Sequence, residues 1–318
     1  MAVYSEFYFP SSDRKTSIHV NRWLPDGEVK AVVQICHGVA EYGFRYERFA
    51  LFLAQNGYAV FANDHLGHGK SVIEGAPPLY FGEAKGWLHV VDDVEKLRRT
   101  AKEQFKNKPY FIFGHSMGSF ILRSHLIRYP GRTDGAIICG TGYPSSFVIK
   151  SGKLAAGIRI HSLGKKGFSK MVDNIAFGSY NKKFKPNRTQ YDWLSLNEEN
   201  VDRYINDPMC GGKVSLGLFS DMLDGLELIT DKGKISLMDK KQPVLFIAGE
   251  NDPVGDMGKG VKKAYEAFKN AGVRDVSIKL YPRLRHEILN EENYMEVQND
   301  ILSFLEEKQK KIKAGAGR

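Results

Sequence analysis

The chain reads as an α/β protein with a mostly parallel central sheet flanked by helices and an inserted helical cap. Three observations predict this. Short apolar runs such as AVVQIC, YAVFA and PVLFIA alternate with helical stretches, the pattern of strands covered by helices. The alternation stops between Thr141 and about Ile235, where no strong strand is found, and resumes at Pro243. The 318 residues, 42% hydrophobic and 26% charged, are enough for one large core plus an insertion. The expected division is a first core part at 1–140, a cap or lid at 141–235 and a second core part at 236–318.

Residues 5–9 and 17–24 read as an opening pair of strands, and Ala31–Cys36 as a buried one. A helix over Tyr46–Asn56 should end at Gly57, because glycine accepts the positive φ of a helix C′ position. Strand Tyr58–Ala62, a helix around Leu88–Phe105 and strand Pro109–Phe113 follow. A helix from Ser116 to about Tyr129 is stopped by Pro130-Gly131, and Ala136–Cys139 is the next strand. Beyond the cap come strand Pro243–Ala248, a helix over Lys259–Ala271 and strand Val276–Tyr281. A last helix spans about Asn293–Lys311, with Val297, Ile301, Phe304 and Leu305 on one face. The tail KQKKIKAGAGR is basic, rich in Gly and Ala, and expected to fray.

The strongest local signal is GHSMG, Gly114–Gly118, which fits G-x-S-x-G. A buried strand runs into it and a helix runs out. That context makes a sharp turn holding Ser116 proud of the sheet, at a helix N-terminus that favours developing negative charge. A serine nucleophile needs a base, and the base needs an orienting acid. After PVLFIAG the loop ENDPVG offers Glu250 and Asp252; Asp252, just before Pro253, suits the turn better. After VSIKLYP the loop RLRHEIL offers His286. An oxyanion needs backbone donors, for which Met117 N–H and Val39 N–H, in the loop HGVAEYG, are candidates. The alternative for His37-Gly38 at that strand end is a plain turn.

The segments HGVAEYGFRYERFA, NDHLGHGKS and GHSMG, with the aspartate and histidine loops after them, resemble the monoacylglycerol lipases and the bacterial lysophospholipase-like hydrolases of the α/β-hydrolase family. The resemblance covers nearly the whole sheet domain and is weak in the cap. It implies a triad of Ser116, Asp252 and His286, an oxyanion hole from Val39 and Met117, and a lid over an acyl tunnel. It also implies that Glu41 and Arg45 lie near the glycerol end of the substrate. Four positions depart from the family pattern. Ala40 and Tyr42 replace the second Gly and the second His of H-G-x-G-E-H, Ser119 replaces a glycine after the elbow, and Leu289 stands where monoglyceride lipases often carry a histidine. The run RHEILNE is more similar to the lysophospholipase-like branch.

The expected chemistry is cleavage of a carboxylic ester in a lipid or other small molecule, through an acyl-enzyme and without metal or organic cofactor. A short-chain carboxylesterase, a thioesterase or a peptidase would use the same groups. A non-enzymatic binding protein would be expected to lack a triad member. GHGKS is not a P-loop, since the position of its first glycine is Asp64, and His65, His68 and Asp64 match no metal-binding spacing. Cys36, Cys139 and Cys210 show no zinc spacing and read as reduced. No apolar run spans a bilayer and the first residues lack signal-peptide character, so the chain is read as cytoplasmic. The net charge of +9 is concentrated. Residues 150–188 hold ten Lys and Arg against the single acid Asp173, an excess equal to that of the whole chain. Interleaved apolar residues make this stretch either a solvated face or a peripheral contact with an anionic membrane. No nucleic-acid module is recognisable.

Overall fold

A computed structural model describes residues 2–316. Its eight strands are β1 (Val3–Pro10), β2 (Ser17–Leu24), β3 (Ala31–Cys36), β4 (Tyr58–Asn63), β5 (Tyr110–His115), β6 (Gly135–Cys139), β7 (Val244–Gly249) and β8 (Val276–Tyr281). They form one sheet in the order β1-β2-β4-β3-β5-β6-β7-β8. The β1–β2 and β2–β4 pairs are antiparallel, and every later pair is parallel. Strands β3 to β7 are buried along their whole length, as expected when helices cover both faces of a parallel sheet.

Helices α1 (Glu47–Gln55), α2 (Gly86–Gln104) and α3 (Met117–Arg128) connect the first strands. Between β6 and β7 lie α4 (Ser146–Leu163), α5 (Lys170–Ala176), α6 (Glu198–Asn206), α7 (Leu216–Thr230) and α8 (Lys232–Ile235), with no strand among the described residues. Helices α9 (Lys259–Asn270) and α10 (Tyr294–Ala316) complete the chain. Helix α7 packs on α2, α3 and α4, so the inserted segment shares the core of the sheet domain.

Two expectations need adjusting. Strand β5 continues through Gly114 and His115, because both pair with neighbours: Gly114 opposite Cys36 of β3, His115 opposite Cys139 of β6. The tail does not fray at Lys308. Helix α10 runs to Ala316, with Lys308 paired to Asp275 and Gln309 donating to Tyr58, both side chains buried.

The register positions the site. The carboxyl ends of β3, β5 and β6 lie side by side, and Gly249 of β7 stands opposite Tyr281 of β8. The loops after these strands therefore meet at one edge, where parallel sheets hold their ligands.

Candidate active site

Ser116 directly follows β5 and caps α3 with φ 54° and ψ −122°, a conformation costly for a residue with a Cβ. Neighbouring backbone holds it there: Ser116 N–H donates to Cys139 O over 3.0 Å, and Ser119 Oγ donates to Ser116 O over 2.5 Å. Ser119, where the family pattern has glycine, thus fastens the turn. At Gly118 an added Cβ would run into the carbonyl oxygen of Cys36, so only glycine lets α3 pack this close to β3.

His286 Nδ1 lies 2.9 Å from Asp252 Oδ1, and both residues are buried. Asp252 Oδ1 also accepts the Val254 N–H over 2.9 Å, which fixes the carboxylate in its turn. With Nδ1 taken, Nε2 is the ring nitrogen left to act on a substrate or on Ser116. The structure brings Ser116 and His286 to the wall of one cavity, with no Ser116–His286 hydrogen bond among the described residues. The His286 ring packs between those of Trp193, at 5.1 Å, and His115, at 4.6 Å.

The loop after β3 lies against Ser116: a Cβ on Gly38 would sit 3.1 Å from Ser116 Cβ and 2.6 Å from Glu41 Oε1. Gly38 N–H donates to Glu41 Oε1 over 2.6 Å. His37 Nε2 accepts the His65 N–H, so Nδ1 carries the proton and donates to Gly38 O over 2.7 Å. This second bond holds the peptide plane that carries Val39 N–H. Among the described residues neither Val39 N–H nor Met117 N–H, the first amide of α3, has an acceptor.

Two cavities meet at Ser116, Val39, Phe177 and Trp193. One, of about 410 Å³, has a mixed wall: the amide and hydroxyl side chains of Asn181, Asn187, Thr189, Gln190 and Tyr191, with Glu41 and His286, share it with Leu194 and Val214. The other, of about 430 Å³, is lined by Phe120, Val148, Phe219, Met222, Leu223 and Leu226. The cap residues of both walls escaped the sequence reading. Trp193, whose ring touches both Tyr180 and His286, sits in a segment without strand or motif to mark it.

Glu41 reaches the first of these cavities, whereas Arg45 stands behind it and lines a separate crevice with Arg48 and Arg203. Arg45 pairs with Glu41 Oε2 at 2.6 Å and with both oxygens of Glu287 at 2.9 and 3.0 Å. Burial opposes ionisation of both carboxyls, but the Arg45 guanidinium outweighs it and holds both below the usual range. Burial likewise disfavours a charged His115, yet hydrogen bonding and attraction from Glu41 raise its pKa. Leu289 is packed in the core and reaches neither cavity wall. Among the described residues no cluster of His, Cys, Asp and Glu could hold a metal, and no helix is long and apolar enough to cross a membrane.

A family model described as serine aminopeptidase, S33 (Hydrolase_4) matches residues 27–293. Monoacylglycerol lipase of Mycolicibacterium smegmatis is 28% identical over 89% of this chain and 90% of its own length. Human monoglyceride lipase is 28% identical over 88% of this chain and 82% of its own. A thermostable carboxyl esterase from Bacillus coagulans, solved with glycerol, superposes with TM-score 0.89 at 27% identity, covering 97% of this chain and 100% of the esterase.

Proposed function

The chain belongs to the Hydrolase_4 family of α/β hydrolases and is a carboxylic ester hydrolase, and we propose that it cleaves monoacylglycerol- or lysophospholipid-type esters through Ser116. One observation carries the lipid reading: Ser116 stands where a cavity with many amide and hydroxyl side chains joins a more apolar one. An ester with one long acyl chain and one hydroxylated alcohol divides its polarity in the same way at the scissile carbonyl. The acyl chain fills the Phe120–Leu226 side and the alcohol the Asn181–Tyr191 side. Glu41 acts in the wall of the alcohol side, with Arg45 supporting it from behind.

In this reading His286, oriented by Asp252, takes the Ser116 proton as Oγ attacks the carbonyl. Val39 and Met117 N–H groups bind the oxyanion, and His286 Nε2 returns the proton to the leaving alcohol. Water, activated by His286, then releases the acid. The helical segment at 141–235 serves as the lid that carries both chambers.

A second observation bears on where the substrate comes from. Helix α4 buries Ile149, Gly152 and Ala156 against α7, yet its outer face carries Phe147, Leu154 and Ile158 at 77, 68 and 61% exposure. A surface helix apolar on both sides is built to be covered. Val148 and Ile175 are exposed and also line the apolar cavity, so the patch continues into it. Lys150 and Lys170 are exposed on the same segment, while Lys153 and Arg188 are paired with acids and Lys165 and Lys166 donate to the carbonyls of Glu83 and Gly75. The cap is read as resting on an anionic lipid surface.

The test of the substrate class is a chain-length profile on p-nitrophenyl esters and monoacylglycerols. The lipid reading expects kcat/KM to rise with acyl length before it levels off. Highest activity on acetyl esters, or on peptide amides, would replace it with a short-chain esterase or a peptidase.

A further inference from the structure

We propose that Glu41, Arg45 and Glu287 form a positioning clamp that locks the oxyanion loop to the histidine loop and sets the rate of the chemical step. The proposal rests on the reading of Ser116 as nucleophile. Glu41 belongs to the loop carrying Val39, and Glu287 directly follows His286. The Arg45 guanidinium bridges the two carboxylates. On one side Glu41 Oε1 accepts Gly38 N–H at 2.6 Å and the Tyr46 hydroxyl at 2.9 Å. On the other, Asn200 donates to Glu287 Oε2 at 2.7 Å, and Glu287 N–H donates to Leu194 O at 2.7 Å. His115 completes the ring of contacts, since its Nδ1 lies 2.9 Å from the Tyr46 hydroxyl and its Nε2 3.2 Å from His286 O.

A buried charge cluster of this kind adds little stability over an apolar filling of the same volume. Its directional bonds instead fix relative position. Both oxygens of Glu41 and both of Glu287 are engaged within the protein, which leaves a substrate contact as the lesser part of their role. The two loops joined here supply the oxyanion donor and the base, and a displacement of about 1 Å between such groups costs up to ~100-fold in rate.

The experiment compares E41Q, E287Q and the double variant with wild type on a p-nitrophenyl ester. Functional sites are first counted by fluorophosphonate titration, and folding is checked by circular dichroism. Each single variant should lose on the order of 10- to 100-fold in kcat per titrated site, with KM within about threefold, and the double variant should lose no more than the worse single. Fewer titrated sites at unchanged kcat per site would mean a structural role, and a raised KM at unchanged kcat a direct substrate contact. Either overturns the clamp, as does an additive double variant; E287Q decides if E41Q fails to fold. Wild type that takes no fluorophosphonate overturns the reading of Ser116 instead.

Discussion

His286 Nδ1 and Asp252 Oδ1 lie 2.9 Å apart, with Asp252 fully buried and His286 at the wall of the cavity. Asp252→Asn would keep the shape but present an amide where a carboxylate is needed, favouring the wrong imidazole tautomer. We expect kcat to fall on the order of 10³- to 10⁴-fold with KM little changed. Activity within about tenfold of wild type in steady-state assays would show that Asp252 does not orient the base.

Much of this site was legible in the chain because each group lies just after a strand. The runs AVVQIC, PVLFIA and VSIKLY are apolar enough to mark β3, β7 and β8, and the loops after them must meet at one sheet edge. The cap was not legible in the same way. Its helix α4 is apolar on both the packed and the open face, so no periodic stripe betrays which side is buried. Trp193 and Phe177 reach Ser116 only through tertiary folding of loops and short helices, which leave no pattern. The partnership of Arg45 with Glu287 joins residues far apart in sequence, and local spacing cannot express it.

Ala40 has φ 56° where the family pattern carries glycine, and its carbonyl accepts from Gly211 N–H and the Tyr204 hydroxyl. Left-handed backbone costs an alanine ~1–2 kcal/mol, while glycine pays ~0.5–1 kcal/mol in chain entropy. The Ala40 methyl is itself buried and its loss offsets ~0.8 kcal/mol, so Ala40→Gly should change stability by less than about 1 kcal/mol in either direction. A loss above about 1 kcal/mol in urea unfolding would contradict the strain.

Two buried histidines pack against His37, and burial disfavours their charged form. Burial pushes His68 down to about 3 and His65 well below its usual value, with neighbouring His37 adding to both. Below the ordinary pKa of about 6.5 the unfolded chain binds protons that these folded rings refuse. Stability should thus fall on acidification from about pH 6.5, with each ring contributing ~1.4 kcal/mol per pH unit until its folded pKa is reached. His68→Phe, which keeps a ring beside Phe81, should flatten that slope between pH 6 and 4. An unchanged slope in denaturant titrations would remove His68 from the account.

The outer face of α4 gives a prediction about membranes. Co-sedimentation with vesicles containing anionic lipid should exceed that with neutral vesicles and weaken as salt rises. Changing Phe147, Leu154 and Ile158 together to Ser should cut binding at least about tenfold while soluble-ester turnover stays within about twofold, because none of the three lines either cavity. Equal binding to neutral and anionic vesicles would remove the charge from the argument.

The central claim is that Ser116 is the nucleophile, and peptide mass spectrometry after fluorophosphonate treatment tests it most directly. The expected result is one adduct, on the peptide containing Ser116, formed by wild type and lost in Ser116→Ala together with ester hydrolysis. An adduct on another residue, or hydrolysis that persists in Ser116→Ala, would contradict it.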